Sequence, residues 1–376
     1  MDISSEAIHG LLPVFLVSGL GASVTSVGIL EGLSEAVALV MKVVSGPLSD
    51  RFGKRKPLVL LGYLMGAISK PFFAMAGSVS VVYGARLFDR IGKGIRGAPR
   101  DALIADLAPR ELRGRAFGLR QSLDTVGAFL GPALAILIMY FSHDDYRKVF
   151  WFAAIPGLLS VSILFLGVSE KSEIAQSPSD RHLRLTDLKS FPSSFWFVVL
   201  AGALFQLARF SEAFLILRAR DFGLSLALSP VVLIAMNVVF AASSYPVGIF
   251  SDGIRREWLL MGGLLILCVS DAVLALSSSL AGVFVGIGLW GLHMGFTQGV
   301  LSAMVADTAR KARRGTAFGI FNLFSALALL SASSIAGLLW QYIGPQVTFL
   351  VGAAFSLLSF SVFWFAKGNW RAKDGV

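Results

Sequence analysis

The chain has 376 residues, of which 55% are hydrophobic and only 15% are charged. This composition is too apolar for a soluble globular protein of that length, so the sequence predicts an integral membrane protein. The net charge of +10 would also fit binding to nucleic acid or to acidic lipid, and the positions of the cations decide between these interpretations.

Apolar stretches of about 20 residues recur along the whole chain and are separated by short polar loops. A helix of that length crosses about 30 Å of hydrocarbon, so we predict an all-α integral membrane protein with twelve transmembrane helices. The predicted spans are 1–20, 25–47, 57–77, 80–105, 116–140, 148–168, 195–217, 228–250, 257–277, 280–305, 316–339 and 345–367. Asp2 and Glu6 stand where a cleavable signal peptide would be basic, so we expect the first helix to be retained.

Basic residues concentrate in alternate loops. The loops on one side, together with the C-terminal segment, carry twenty Arg and Lys residues, whereas the loops on the other side carry four. Because cationic loops stay on the cytoplasmic side, we expect both termini and the 169–194 linker in the cytoplasm, and the chain in the cytoplasmic (inner) membrane of a prokaryote. Membrane orientation thus accounts for the net charge, and we expect no nucleic-acid partner.

The two halves of the chain share sequence. LIADLAPRELRGRAFG (103–118) resembles MVADTARKARRGTAFG (304–319) at an offset of 201, and SSEA (4–7) resembles FSEA (210–213). We therefore predict two six-helix bundles in a parallel repeat, 1–168 and 195–376. Few residues precede the first SSEA motif, so either the recorded start lies downstream of the true one or the first helix is short.

The segment RLFDRIGKGIRGAPRDA (86–102) places five Arg or Lys residues and two aspartates in the predicted span 80–105. The repeat aligns this span with 281–306, which carries no charge, so we predict a helix here instead of a cytoplasmic loop. At 100° per residue, one helix face carries Arg86, Arg90, Lys93, Gly97, Arg100 and Asp101. Each charge facing lipid would cost about 2.5–3.5 kcal/mol, so this face is expected to look inward.

Charges of opposite sign share helix faces on other spans. These groups are Asp2, Glu6 and His9; Glu31, Glu35 and Lys42; Arg120 and Asp124; and Arg209 and Glu212. Each group is open to two interpretations, a buried ion pair that holds helices together or the lining of a polar cavity, and for the set as a whole we favour the cavity. The predicted substrate cavity comprises Glu6, Arg86, Asp89, Arg90, Lys93, Arg120, Asp124, Arg209 and Glu212.

Glu31 and Glu35 are the predicted proton-coupling residues, because they lie one helical turn apart. Burial and a nearby cation act in opposite directions on the proton affinity of such carboxylates, so movement of a cationic partner loads or releases a proton. Lys42 on the same face could instead hold one of the two permanently ionised.

The loop GPLSDRFGKRK (46–56) resembles the signature loop of the major facilitator superfamily, Gly-x-Leu-Ser/Asp-Asp-Arg-x-Gly-x-Arg-Lys. Together with the twelve spans and a second copy, GIFSDGIRR (248–256), the resemblance implies that fold over essentially the whole chain. In that family the aspartate, here Asp50, braces the loop against a helix end and a cation, for which Arg100 and Arg113 are candidates. The implied cytoplasmic gate residues are Gly46, Asp50, Arg51, Gly53, Arg55, Arg100, Arg113 and Asp252.

DTVGAFLGPALA (124–135) resembles the antiporter signature of helix five in the same family, through Gly127, Gly131 and Pro132. The glycine pair that ends the family pattern is replaced by Ala135 and Ile136. Close helix packing through Gly-xxx-Gly is an alternative explanation of the same residues.

The resemblance implies a secondary active transporter that moves a small organic solute by alternating access, and we expect proton-coupled efflux by a monomer in the lipid bilayer. One alternative is a proton-coupled uptake symporter for an anionic or zwitterionic metabolite, which Arg86, Arg90 and Lys93 would favour. Others are a transport-dead receptor on the same scaffold and a membrane-embedded enzyme or redox protein.

The remaining motifs do not indicate catalysis. GxGxxG occurs at 92–97 and 286–291 without a preceding strand, and the chain contains no GxxxxGK[ST]. Its single cysteine, Cys268, allows no intrachain disulfide. We therefore expect no enzyme activity, no catalytic residues, no cofactor and no metal site.

Overall fold

The structure, a computed structural model, describes residues 1–52, 54–107, 112–169, 191–253, 256–308 and 314–370. Within these ranges every regular element is a helix. The first half contains α1 (Asp2–His9), α2 (Leu12–Val14) with a π-helical turn (Phe15–Gly19), α3 (Val24–Phe52), α4 (Lys56–Met75), α5 (Val79–Leu107), α6 (Arg113–Ser142) and α7 (Tyr146–Gly167). The second half contains α8 (Ser193–Ala208), α9 (Ala213–Asp221), α10 (Val231–Gly253), α11 (Arg256–Leu276), α12 (Leu280–Thr308), α13 (Arg314–Tyr342) and α14 (Pro345–Trp370).

These helices account for all twelve predicted spans, because α1 with α2 and α8 with α9 each form one broken span. Helices suit this apolar sequence, since a helix satisfies its own backbone hydrogen bonds where no water is available. Eight helices of the described part are long and apolar enough to cross a bilayer. The charged segment 80–105 is not among those eight, yet it lies within the single helix α5, as predicted.

The chain divides into two compact units, Met1–Ser179 with Leu224–Ile234, and Asp180–Gly223 with Ala235–Val376. In the first unit, α1 packs on α6 and α7, and α5 packs on both α3 and α4. In the second unit, α11 packs on α12 and α14, and α8 packs on α13 and α14. Helix α5 therefore has neighbours on two sides that can supply partners for its charges.

The first membrane segment is broken. Helix α1 has eight residues and ends at His9, and α2 restarts with Pro13 in its first turn, where a missing amide proton costs nothing. The seventh segment is broken as well, between Ala208 and Ala213. The related motifs SSEA and FSEA therefore differ in local structure, because the first lies inside α1 and the second spans the break.

The contact of α4 with α5 recurs in the second unit, between α11 and α12. A Cβ atom on Gly62 would lie 2.5 Å from the Gly92 carbonyl oxygen and 2.7 Å from Arg96 Cβ. A Cβ atom on Gly263 would meet the His293 carbonyl oxygen and Thr297 Cγ2. Gly263, His293 and Thr297 correspond to Gly62, Gly92 and Arg96 at the offset of 201. The packing of these helices therefore follows the sequence repeat.

Candidate functional site

Two ion pairs connect α3 with α5. Arg86 Nη2 donates to both carboxylate oxygens of Glu31, at 3.0 and 2.9 Å, and both side chains are about 2% exposed. Arg90 Nη1 donates to Glu35 Oε1 at 3.0 Å. Because the two acids and the two arginines are each four residues apart, both pairs form along one face of each helix. Charge-assisted bonds of this kind are the strongest hydrogen bonds in proteins.

A third ion pair connects α4 with α5. Lys70 Nζ lies 2.8 Å from Asp89 Oδ1 and also donates to Ser5 Oγ at 3.3 Å. Asp89 accepts a further bond from Ser69 Oγ at 3.3 Å, and its other oxygen lies 3.7 Å from Arg90 Nε. Asp89 was a predicted site residue, whereas Lys70 was not. A single lysine in an otherwise apolar span is nevertheless a recognisable signal of a buried partner.

His9 connects α1 to these pairs. Its Nδ1 lies 3.6 Å from Glu6 Oε2, and its Nε2 lies 4.0 Å from Glu31 Oε2. Both contacts are ion pairs only when the imidazole is protonated. The structure thus places the predicted residues Glu6 and Glu31 on either side of one titratable ring. We refer to His9, Glu6, Glu31, Glu35, Lys70, Arg86, Asp89 and Arg90 as the N-terminal charge network.

Access to the N-terminal charge network is uneven. The side chains of Arg86, Glu31 and Arg90 are about 2% exposed, whereas Glu35 is 33% and Glu6 25% exposed. Lys93, one turn beyond Arg90, is exposed and has no ion pair within the part of the chain that the structure describes. The accessible charges are therefore the carboxylates of Glu6 and Glu35 and, beside the network, the ammonium group of Lys93. Across the described residues, no group of three or more His, Cys, Asp or Glu side chains could hold a metal ion.

Arg120 and Asp124 belong to a separate cluster between α5 and α6. Arg120 donates from Nη1 to Asp101 Oδ1 at 2.6 Å, and its Nη2 lies 3.2 Å from Asp124 Oδ2. Arg100 completes the cluster, 3.4 Å from Asp101 and 3.9 Å from Asp124. All four side chains are one-fifth to about one-third exposed. The predicted helical pair is therefore part of a larger cluster that contains two arginines and two aspartates.

Arg209 and Glu212 lie in the second unit, at the break between α8 and α9. Arg209 Nη2 donates to Glu212 Oε1 at 3.3 Å. With its amide oriented to fit its neighbours, Gln298 Oε1 accepts from the same guanidinium at 3.2 Å. The predicted pairing is thus present, but the two residues lie in the break between α8 and α9 and not on one face of a continuous helix.

The structure does not support the predicted role of Lys42 as the cation that holds Glu31 or Glu35 ionised. Glu31 and Glu35 are each paired with an arginine of α5, so Lys42 is not the cation that holds them ionised. Its side chain is exposed, and its methylene carbons would lie 3.5–3.7 Å from a Cβ atom on Gly97. The packing of α3 on α5 brings Arg86 and Arg90 into contact with Glu31 and Glu35, whereas Lys42, on the same helix as the two acids, has no ion pair with them.

The predicted cytoplasmic gate is described only in part. Gly53 and the side chains of Asp50, Arg51, Arg113 and Asp252 lie outside the described residues. Arg55 Nε lies 3.0 Å from Asp106 Oδ2, which links the α3–α4 loop to the end of α5. Gly46 faces Ala98 of α5, since a Cβ atom there would lie 3.6 Å from the alanine Cβ. Arg100, a candidate partner of Asp50, is engaged by the cluster of Asp101 and Asp124.

Gly127 and Gly131 form the surface of α6 on which α1 packs. A Cβ atom on Gly127 would lie 2.8 Å from Asp2 Cβ. A Cβ atom on Gly131 would lie 2.8 Å from the Ile3 carbonyl oxygen and 2.9 Å from the Ala7 amide nitrogen. Close approach of this kind is what the packing interpretation of Gly-xxx-Gly predicts, and it positions Glu6 beside the rest of the network.

Comparison with known proteins agrees with this architecture. The profile of the Major Facilitator Superfamily matches residues 1–236 and 198–373. An uncharacterized MFS-type transporter of Methanocaldococcus jannaschii is 33% identical over 368 residues, covering 95% of this chain and 90% of its own length. The multidrug resistance protein MdtH of Klebsiella pneumoniae is 25% identical over 382 residues, covering 98% of this chain and 92% of its own.

The fold is also that of solved transporters. The crystal structure of a POT family transporter in complex with 5-aminolevulinic acid has a TM-score of 0.81, with 12% sequence identity over 98% of this chain and 94% of that one. This likeness confirms the predicted all-helical membrane fold, and the family match extends over both halves of the sequence. The chain therefore belongs to the Major Facilitator Superfamily and is a multi-pass membrane transporter of small molecules.

Proposed function

We propose that this chain exports a small organic solute in exchange for protons, by alternating access. The observation that carries the proposal is the Glu35–Arg90 pair, in which the arginine is 2% and the carboxylate 33% exposed. An acid held by a buried arginine but open on its other side can receive either a proton or a cationic group of a solute. Competition of the two for one carboxylate couples their movements in opposite directions.

Glu31 has the second role in this proposal. Its pair with Arg86 is inaccessible, but His9 connects it to Glu6, whose side chain is 25% exposed. A proton taken up by Glu6 would reach Glu31 through the imidazole, because the two ring nitrogens face the two acids. Protonation of Glu31 would leave Arg86 buried without its counter-charge, which is an unstable arrangement that favours helix movement.

Two further features support export over uptake. MdtH of Klebsiella pneumoniae, a relative that matches 98% of this chain, is named a multidrug resistance protein. The segment with Gly127, Gly131 and Pro132 resembles the antiporter signature of the family. In addition, Arg86 and Arg90 are neutralised by Glu31 and Glu35, which weakens the expectation of an anionic substrate.

Lys93 favours a second candidate, a proton-coupled uptake symporter for an anionic or zwitterionic metabolite. Its ammonium group is exposed and forms no ion pair with the described residues, so it could bind a carboxylate of the solute. The two candidates differ in the direction in which a proton gradient moves the solute. A proton gradient directed inwards would drive solute out of the cell in the first and into the cell in the second.

The proposal is tested with purified protein in proteoliposomes on a solid-supported membrane. Anionic, zwitterionic and cationic solutes are applied with and without a pH gradient, to the wild type and to Glu35→Gln. The matched control is Asp144→Asn, an exposed acid in the α6–α7 turn whose positive φ of 64° asparagine also tolerates.

We expect a solute-specific current that depends on the pH gradient, is lost in Glu35→Gln and is retained in Asp144→Asn. Retention of the pH dependence in Glu35→Gln would contradict the role of that carboxylate. A solute that binds the protein but is not moved across the membrane of the same vesicles, as measured by radiotracer exchange, would instead identify a transport-dead receptor.

A further inference from the structure

One buried acid lies outside the N-terminal charge network. Asp271 on α11 is 0% exposed, and neither of its carboxylate oxygens has a hydrogen-bond partner among the described residues. On α12, Trp290 Nε1 and both ring nitrogens of His293 are buried without a partner in the same part of the chain. In contrast, the buried acids Glu31 and Asp89 of the first unit each contact an arginine or a lysine.

The sequence repeat explains why Asp271 has no partner. At the offset of 201 that relates α4 to α11 and α5 to α12, Asp271 corresponds to Lys70 and Trp290 corresponds to Asp89. Lys70 and Asp89 form an ion pair at 2.8 Å. In the second unit the position of the cation holds an acid, and the position of the acid holds a tryptophan. An ion pair cannot form between these two residues.

The surroundings of Asp271 are apolar and aromatic. A Cβ atom on Gly352 of α14 would lie 2.6 Å from Asp271 Oδ2 and 3.0 Å from Phe210 Cε1. The Phe210 ring centroid is in turn 5.4 Å from that of Trp290 and 5.5 Å from that of Phe349. The carboxyl group therefore lies against a glycine and a cluster of aromatic rings.

The neighbouring elements supply no counter-charge. Their titratable and charged groups, among the side chains that the structure describes, are Glu257 and Cys268 on α11, His293 on α12, Arg209 and Glu212 at the α8–α9 break, and Arg218, Arg220 and Asp221 on α9. None of these is within ion-pair distance of Asp271 in the described structure, and α14 carries no ionisable side chain over Pro345–Trp364. Arg218 donates instead to the carbonyl oxygens of Leu274 and Ala275, at 2.9 and 3.2 Å.

We propose that Asp271 is a proton-binding site of the second unit and carries its proton in the state described here. An ionised carboxylate without a cation or a hydrogen-bond donor is far less stable in an apolar interior than the neutral acid. A metal cation would need several oxygen ligands, whereas Asp271 faces Gly352 and Phe210. Because Gly352 brings α14 against the carboxyl group, separation of α14 from α11 would admit water and release the proton.

The protonation of Asp271 stands on the geometry of the second unit alone, whereas its use in transport rests on the proposed proton coupling. Infrared spectroscopy of the lipid-reconstituted protein at pH 7 tests the first part. We expect a carboxylic-acid C=O band that shifts when aspartate is carboxyl-¹³C-labelled, is lost in Asp271→Asn and is retained in Asp144→Asn. The isotope shift on the wild type shows that the band belongs to an aspartate. Asp271→Glu keeps a carboxyl group at this position if Asp271→Asn does not fold, and we expect its acid band to lose the response to aspartate labelling.

Two infrared results would overturn the site. One is a labelled spectrum in which all aspartates are ionised at pH 7. The other is loss of the acid band when choline chloride is replaced by sodium chloride, which would identify a metal-cation site.

Proton counting during transport tests the second part, with a pH-sensitive dye inside the vesicles and a radiolabelled solute. We expect fewer protons exchanged per solute in Asp271→Asn than in the wild type and Asp144→Asn. An unchanged ratio, with the acid band present, would make Asp271 a structural acid without a coupling role. A wild type that exchanges no protons would refute the proposed proton coupling and leave the protonation of Asp271 to the infrared result.

Discussion

Arg86 donates from one nitrogen to both oxygens of Glu31, and the two side chains are about 2% exposed. The sequence predicted that this arginine faces away from lipid, because an unpaired charge there is costly. It also placed Glu31 on a charged face of the second span. The sequence left open whether the two were cavity residues or partners, and the structure shows that they are partners.

Lys70 and Asp89 allow the energy of a buried pair to be measured. Removal of one partner leaves the other charge uncompensated, so we expect Lys70→Met to destabilise the protein by about 3–5 kcal/mol. We expect Lys70→Met/Asp89→Asn to lose less than the sum of the two single changes, because the double variant buries no charge at this position. Thermal unfolding of the purified protein in detergent measures all four members of the cycle, and strictly additive losses would contradict the pairing.

Lys70 and Asp271 were both recognisable in the sequence as ionisable residues inside otherwise apolar spans. Neither belongs to a helix face with several charges, which is the pattern that predicted the other site residues. An isolated charge in a membrane span is the stronger indication of a specific environment, because it has no neighbour on its own helix that could share the cost of burial. Structure then separates the two cases, since Lys70 has Asp89 while Asp271 has no counter-charge.

At the scale of single elements, related sequences in the two halves adopt different local structures. SSEA lies within α1, whereas FSEA spans the break between α8 and α9. Arg209 explains part of the difference, because its guanidinium binds Glu212 across the break. In addition, the amide of Ser211 donates to Ser333 Oγ at 3.2 Å, which gives the broken backbone a partner on α13. Local sequence similarity was therefore insufficient to predict the break.

The packing of α1 on α6 gives a prediction at the same scale. In Gly131→Ala the new methyl group would meet backbone atoms of Ile3 and Ala7 at 2.8 and 2.9 Å, so we expect a loss of about 1–3 kcal/mol. The control is Gly84→Ala on α5, where no atom lies within 4 Å and alanine favours the helix by up to about 1 kcal/mol. Both changes are compared by thermal unfolding in detergent. Equal midpoints for the two variants would contradict the close contact of α1 with Gly131.

At the scale of the whole molecule, the two units share a repeat but differ in charge. Helix α5 carries five Arg or Lys residues between 86 and 102, whereas the corresponding segment of α12 has none. Packing of the helices is maintained nevertheless, because Gly62 and Gly263 make equivalent contacts in their own units. The repeat thus specifies the backbone arrangement, and ionisable groups are concentrated in the first unit.

The asymmetry of basic loops predicts the orientation in the membrane. We expect an exposed cysteine at Asp144→Cys to react with an impermeant maleimide on intact cells, and one at Lys54→Cys to react only after the cells are opened, because cationic loops stay in the cytoplasm. Both changes are made in a Cys268→Ala background, which removes the single natural cysteine. The reverse labelling pattern would show that both termini lie outside the cell.

By itself the sequence determined that this chain is a membrane protein of twelve helices in two related halves, because span length and repeat depend only on the order of residues. It also predicted that the charges of α5 avoid lipid, which cannot solvate them, and Arg86, Asp89 and Arg90 are buried in the structure. The identity of each partner was decided by tertiary structure. Packing brings Glu31 into contact with Arg86, 55 positions apart in the sequence, and Lys70 into contact with Asp89, 19 positions apart. It leaves Asp271 without a counter-charge among the described residues. Ion pairing depends on which helix faces meet, and the order of residues alone does not specify this.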